Sequence, residues 1–263
     1  MRKSPFTYFF TPVGWLVAIC LVLISCKKEN SKGANQNTAN FIMAFKGVVD
    51  VDDLTIGKMY KNSFAEEFSV KTFKFYIHGI ELENTQTNVF SRLDKDIHYL
   101  ISISNPGAAA IQLLLTPGVY DRINFIIGVD SIRNVSGAQT GALDPAQGMF
   151  WTWSTGYIMA KLEGTSPVAA TPNNVIEYHI GGFKAGESAI RKVSLDFPAL
   201  QKLTLKQGVQ NSINISANIN RWFNSVHDIR ISDKAVSMTP GTLAKQIADN
   251  YSNMFTVVEI VNE

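Results

Sequence analysis

The chain has 263 residues, 46% of them hydrophobic and 17% charged, with 24 Lys+Arg against 22 Asp+Glu, four His and two Cys. That length holds one large domain or two small ones, and the composition is too apolar and too weakly charged for a disordered chain. A formal net charge of +2, with Lys and Arg scattered along the sequence, sets nucleic acid aside, and two cysteines cannot supply a structural zinc site of three or four thiolates.

Arg2 and Lys3 precede an uncharged, mostly apolar run from Phe6 to Ser25, the order of a basic segment and a hydrophobic segment in a secretory signal. The run also approaches the ~20 residues of a membrane span, so an N-terminal anchor helix is the alternative. Leu23-Ile24-Ser25-Cys26 resembles the bacterial lipoprotein junction, in which an aliphatic and then a small residue precede the cysteine that is lipidated. That junction and the polar stretch behind it favour a lipoprotein signal over 1–25, with Cys26 as the lipidated residue and the membrane anchor. Residues 26–40 form a flexible tether, since Asn30–Asn40 is small and polar with nothing to bury. Cleavage before Cys26 removes Cys20, and acylation consumes Cys26. The folded domain then has no thiol for a disulfide, a nucleophile or a metal. Arg2 and Lys3 leave too, so the mature chain has equal numbers of basic and acidic residues. The expected location is the cell envelope, lipid-anchored to the outer membrane on its periplasmic face or at the cell surface.

From Phe41 onward, alternating apolar runs separated by turn residues give the pattern of antiparallel strands. The spacing predicts strands at 41–48, 67–83, 97–104, 111–115, 119–129, 157–163, 175–181, 189–197, 212–219 and 255–261. In 67–83 alternation places Phe73, Phe75 and Ile77 on one face and Tyr76, His78, Ile80 and Leu82 on the other. Both faces are apolar, so this strand is central. Pro240 ahead of Leu243, Ile247, Tyr251 and Met254 predicts an amphipathic helix over 242–254, and a helical turn near 220–224 would bury Trp222 and Phe223. Without βαβ alternation, repeats or an internal linker, 41–263 is expected to be a single all-β domain, an antiparallel β-sandwich with long loops and one or two short helices.

One segment breaks the rhythm. Between Val129 and Gly156 lie 26 residues rich in Gly, Ala, Gln and Asn that end in Phe150, Trp151 and Trp153. Structureless loops of this length are uncommon in compact domains and tend to be functional, and clustered aromatics argue against disorder. Its oxygens, Asp130, Asn134 and Asp144, make a structural calcium ion one option and a turn cap at Asp130 another.

The stretches Phe125-Ile-Ile-Gly-Val-Asp130, Gly148-Met-Phe-Trp-Thr-Trp153, Gly156-Tyr157, Lys161-Leu-Glu-Gly164 and Tyr178-His-Ile-Gly-Gly182 together resemble the MbnP-like family. These are secreted or lipid-anchored proteins named after a periplasmic protein found with methanobactin systems. The resemblance implies a β-sandwich that binds copper in the envelope, with a tryptophan oxidised to kynurenine by a dihaem peroxidase-like partner and placed beside histidine. Carried over by motif, it points to Trp151 or Trp153 as the oxidised residue and to His179 as an imidazole ligand. Family members carry a histidine in the first mature strand, where this chain has Phe41-Ile-Met-Ala-Phe-Lys-Gly-Val-Val49. Met43 there, and Met149 two residues before Trp151, offer thioethers suited to Cu(I).

The bland readings stand beside these. His179 is also what a hydrogen-bonded core histidine looks like, His78 reads as packing, and His98 and His227 read as surface residues. No two histidines share the spacing that places them together on one element, so any metal site must come from tertiary contact. Glu163 is expected to order amides in a Leu-Glu-Gly turn. Phe150, Trp151, Trp153 and Tyr157 also suit a carbohydrate or protein platform on a non-enzymatic surface module. No nucleophile elbow, phosphate loop, zinc-protease histidine pair or dinucleotide glycine pattern is present, and the chain is expected not to be an enzyme.

Overall fold

The computed structural model describes residues 1, 37–153, 156–198 and 201–262. The signal, Cys26 and most of the tether lie outside them. The first strands are β1 (Ala39–Val49), β2 (Asp52–Asp53), β3 (Met59–Lys61), β4 (Glu67–Asn84), β5 (Val89–Arg92), β6 (His98–Ser102) and β7 (Ala110–Leu115). Then come β8 (Gly118–Tyr120), β9 (Arg122–Ile127), helix α1 (Ser131–Val135), β10 (Phe150–Trp151), β11 (Gly156–Thr165) and β12 (Val175–Gly181). The last elements are β13 (Arg191–Asp196), β14 (Leu203–Leu205), β15 (Asn211–Asn218), α2 (Asn220–Phe223), β16 (Val236–Ser237), α3 (Thr242–Tyr251) and β17 (Phe255–Asn262).

The strands form two main sheets. One runs β17-β15-β1-β2 with β7 on β1; the larger runs β13-β9-β4-β11-β12-β16 and also pairs β3, β5 and β6 with β4. The fold is predominantly β and sandwich-like, as the alternation implies. Two pairings go beyond the antiparallel expectation: β1 with β15 and β12 with β16 are parallel. The strand expected over 119–129 is two strands, β8 pairing with β14 and β9 joining the large sheet.

The sheets meet through phenylalanines. Phe45 of β1 packs edge-on against Phe75 of β4 at 5.4 Å, and Phe255 of β17 sits 5.3 Å from Phe75 and 5.2 Å from Phe125 of β9. Burying each ring contributes about 1.5–3 kcal/mol, and each edge-to-face contact adds about 0.5–1.5. Exposed ion pairs such as Lys46–Asp53 contribute at most about 1 kcal/mol. The aromatic layer therefore holds the sandwich.

β4 carries a feature that alternation alone misplaces. Ile77 pairs with Ile127 and Leu82 with Ile123, with a register shift between His78 and Glu81. Ile123 and Ile127 lie on one face of β9, so Ile77 and Leu82, five residues apart, must also share a face. An extra residue has been inserted in β4, and Gly79 at φ +59° takes it up as a bulge. Ile80 and Leu82 therefore join Phe73, Phe75 and Ile77 inside the sandwich. Tyr76, His78, Glu81 and Glu83 form the outer face.

The sheet also forks at this strand. β11 pairs with Ser69–Phe75 and β9 with Ile77–Glu83, while β6 pairs with Lys74–His78, overlapping both from the opposite edge. The long segment between β9 and β11 leaves the sheet at that fork, over the outer face. Behind the core, α3 buries Ala244, Ile247, Ala248 and Tyr251, and Trp222 of α2 packs on Tyr251 at 5.4 Å. α3 ends at Tyr251, and Met254, beyond its end, places its sulfur 3.2 Å from the Trp222 indole N–H.

A side chain at Gly79 would force L-residue backbone into the left-handed region, at about 1–2 kcal/mol. Gly79→Ala is expected to lower stability by that amount in urea unfolding; an unchanged midpoint would show that the bulge does not depend on glycine.

Candidate functional site

The segment after β9 is folded against the outer face by its own polar groups. Asp130 caps α1, its Oδ1 accepting the Arg133 N–H at 3.0 Å. Asn134, buried, donates to the Val129 carbonyl at 2.7 Å and accepts the Tyr157 N–H at 2.9 Å, tying the two ends of the loop together. Asp144 caps the turn Pro145–Gln147 through the Ala146 N–H at 2.8 Å, and Gly148 at φ +71° ends it. Tyr76 of β4 donates to the Ala142 carbonyl at 3.0 Å, and Tyr157 to that of Leu143 at 2.8 Å. The loop read as irregular thus holds a short helix and two 3-10 turns. An oxygen of each residue considered for calcium, Asp130, Asn134 and Asp144, accepts a backbone amide.

Past the loop, β10 pairs with the start of β11, Phe150 opposite Tyr157 and Trp151 opposite Gly156. The six-membered edge of the Trp151 ring packs over Gly181 of β12. A β-carbon at Gly181 would come within 2.5 Å of the indole, so glycine there is what admits the ring. Trp151 is buried and its Nε1 has no hydrogen-bond partner among the described residues, while Trp153, 63% exposed, packs on it at 5.5 Å between centroids. A cleft of ≈ 370 Å³ opens beside them, lined by Trp151, Tyr157, Phe183, Lys184 and Glu187.

His179 stands on the same face of β12 as Gly181, two residues away. Lys74, Lys161 and His179 are consecutive cross-strand partners on β4, β11 and β12, which places His179 on the outer face with Tyr76 and His78. Its Nε2 lies 2.7 Å from Glu163 Oε1, and Lys161 Nζ is 3.4 Å from the same oxygen. The hydrogen bond from His179, helped by Thr72 and Lys161, overrides burial and holds the Glu163 carboxyl at about 2, below the ordinary 4.5. Glu163 is therefore an imidazole partner inside a strand, not the amide-ordering residue of a turn. Between Glu163 and Gly164 the register shifts by one extra residue, Lys71 of β4, and a β-carbon at Gly164 would meet the Ser69 carbonyl at 1.8 Å.

Trp151, Trp153 and His179 are thus gathered on one face of one sheet. Met43 is not with them. It shares the buried, odd-numbered face of β1 with Phe45 and points into the sandwich, on the other side of the large sheet. Met149 is fully buried, its carbonyl accepting the Ile158 N–H at 2.9 Å.

A histidine pair lies at the fork. His78 of β4 and His98 of β6 are direct cross-strand partners whose rings stack at 4.5 Å, 24° from parallel. His98 is buried rather than at the surface, and burial pushes both imidazoles below the ordinary histidine range. Nothing in the local sequence sets which residue faces His78 across the ladder, so the pair was invisible there. His227 is engaged with Asp249 at 3.1 Å. Among the described residues no three His, Cys, Asp or Glu side chains form a ready ligand cage.

The MbnP family model matches residues 38–241, spanning nearly all of the strands that carry these groups. The chain belongs to the MbnP family. A solved structure, MbnP from Methylosinus trichosporium, is 14% identical, with 73% of this chain and 80% of that chain covered at a TM-score of 0.49. No curated protein matches.

Because the Glu163 carboxyl is lowered on folding, it stabilises the fold above about 4.5 and gives that contribution up as pH falls toward about 2. The stability difference between wild type and Glu163→Gln is expected to shrink over that window in denaturant titrations. A difference that stays constant with pH would mean that the carboxylate is not held by His179.

Proposed function

We propose that this MbnP-family chain is a cell-envelope lipoprotein, anchored through Cys26, that binds copper at the patch formed by His179 and the Trp151–Trp153 pair, for storage, uptake or delivery. The reading rests above all on the placement of Trp151, buried over Gly181 on the face of His179 with an indole N–H that no described residue accepts.

The donors suit copper in part. Glu163, ionised, can only accept from His179 Nε2, so the lone pair of the neutral ring lies on Nδ1. A carboxylate behind a histidine is the usual orienter of a metal-bound imidazole, and copper takes imidazole readily. An indole N–H has no lone pair to give. Oxidation to kynurenine, by a dihaem peroxidase-like partner with a peroxide as oxidant, would open the five-membered ring, release its C2 as formate after hydrolysis, and leave an aryl amine and a carbonyl. Exposed Trp153, packed at a tilt against Trp151, is the ring such a partner would meet first. The protein's own share of the work is to fix His179 through Glu163 and to keep the Trp151 ring dry over Gly181.

A second reading, a non-enzymatic glycan- or protein-binding surface, draws on exposed Trp153 beside the cleft.

Cu(I) titration against a chromophoric chelator should show wild type competing for the metal and His179→Ala competing at least about tenfold less well. If neither competes, or the two are equal, copper binding at this patch is wrong. Native protein purified from the envelope should also carry a net gain of one oxygen and loss of one carbon on the peptide holding Trp151 and Trp153.

A further inference from the structure

The outer face holds a second set of donors, separate from the patch at His179. Lys74, in the same row of cross-strand partners as His179, is two strands from it and four residues before His78, which puts the two histidines roughly 15 Å apart. One ion cannot serve both.

Around His78 and His98 the hydrogen bonds fix the tautomers. His78 Nδ1 lies 3.0 Å from the Gly128 carbonyl oxygen and His98 Nδ1 lies 3.2 Å from that of Asp96. A carbonyl oxygen only accepts, so each Nδ1 carries the proton and each neutral ring has its lone pair on Nε2. His98 Nε2 is buried, its side chain 1% exposed, and it has no hydrogen-bond partner. Facing it at 3.3 Å is Asp130 Oδ2. The other oxygen of Asp130 is used by the helix cap, so Oδ2 is the one turned to the imidazole.

Two lone pairs set against each other at that distance repel unless a cation lies between them. A proton on Nε2 would not bridge them, since the 3.3 Å approach misses hydrogen-bond geometry. The separation suits a metal. With metal–nitrogen and metal–oxygen bonds of about 2.0–2.2 Å at a tetrahedral angle, the two donors stand about 3.4 Å apart.

We propose that His98 Nε2 and Asp130 Oδ2 are the protein ligands of a divalent first-row transition ion, with His78 stacked on His98 as the residue that positions it. Water completes the shell, entering beside Asp130, whose side chain is 31% exposed. Imidazole with carboxylate suits Zn(II) or Cu(II) rather than Cu(I), so this site takes a different oxidation state or metal from the one proposed at His179. It needs no oxidised tryptophan.

The test uses the full protein with His179→Gln as background, titrated with Zn(II) and with Cu(II) salts against a chelating indicator. That background should still bind one ion, and adding His98→Gln or Asp130→Asn should weaken binding at least about tenfold. Asp130→Asn keeps an oxygen for the helix cap, so its fold, checked by circular dichroism, should be unchanged. The EPR spectrum of the bound Cu(II) should show nitrogen hyperfine coupling that His98→Gln removes. Absence of binding in the background, or equal binding in the folded Asp130→Asn variant, would overturn the site. Loss of binding at His179 alone would leave it standing.

Discussion

Through its middle, from Phe75 to His78, strand β4 is buried on both faces, and the rest of the molecule is arranged around that constraint. Its inner side, Phe73, Phe75 and Ile77, must be covered by the second sheet, and Phe45 and Phe255 supply the cover. Its outer side, Tyr76 and His78, is equally buried and needs a second cover. An open sandwich provides none, so the chain between β9 and β11 has to supply it. The bulge at Gly79 limits the problem: beyond it the outer face passes to Glu81 and Glu83, which Asn124 satisfies at 3.1 and 2.9 Å. Aromatic cover is required on one half of the strand and polar pairing suffices on the other.

A loop that serves as a wall has to satisfy its own backbone, since unpaired amides and carbonyls under it are costly. Asn134 does much of this with one side chain, bonding the end of β9 and the start of β11 together. The tyrosine hydroxyls of β4 and β11 reach up to loop carbonyls from below. The wall is therefore fixed from both sides, and the groups it carries, Asp130 at one end and Trp151 at the other, come to rest over histidines of the sheet.

Much of this was legible in the sequence. Alternation marked the long strands from 41 to 261, the doubly apolar 67–83 stretch gave the central strand, and Pro240 with its apolar stripe gave α3. The family motifs pointed to Trp151, Trp153 and His179, which the fold does gather on one face. What escaped was set by pairing rather than by local pattern. The bulge at Gly79 reverses the facing of Ile80 and Leu82, since one inserted residue flips every side chain after it. The parallel pairing of β1 and β15 depends on a partner more than 160 residues away. His98 looked like a surface residue at the start of a strand, and only the β4–β6 register sets it against His78. Met43 had suitable chemistry but the wrong face of the wrong sheet.

Both proposed sites lie on the outer face of the large sheet, under or beside one folded loop. Crystals of the metal-loaded protein, measured on either side of the copper absorption edge, give the most direct test of that placement. The account expects anomalous density beside His179 Nδ1 next to Trp151, and, with Cu(II), between His98 Nε2 and Asp130 Oδ2. Copper found only elsewhere, or none on this face, would contradict it.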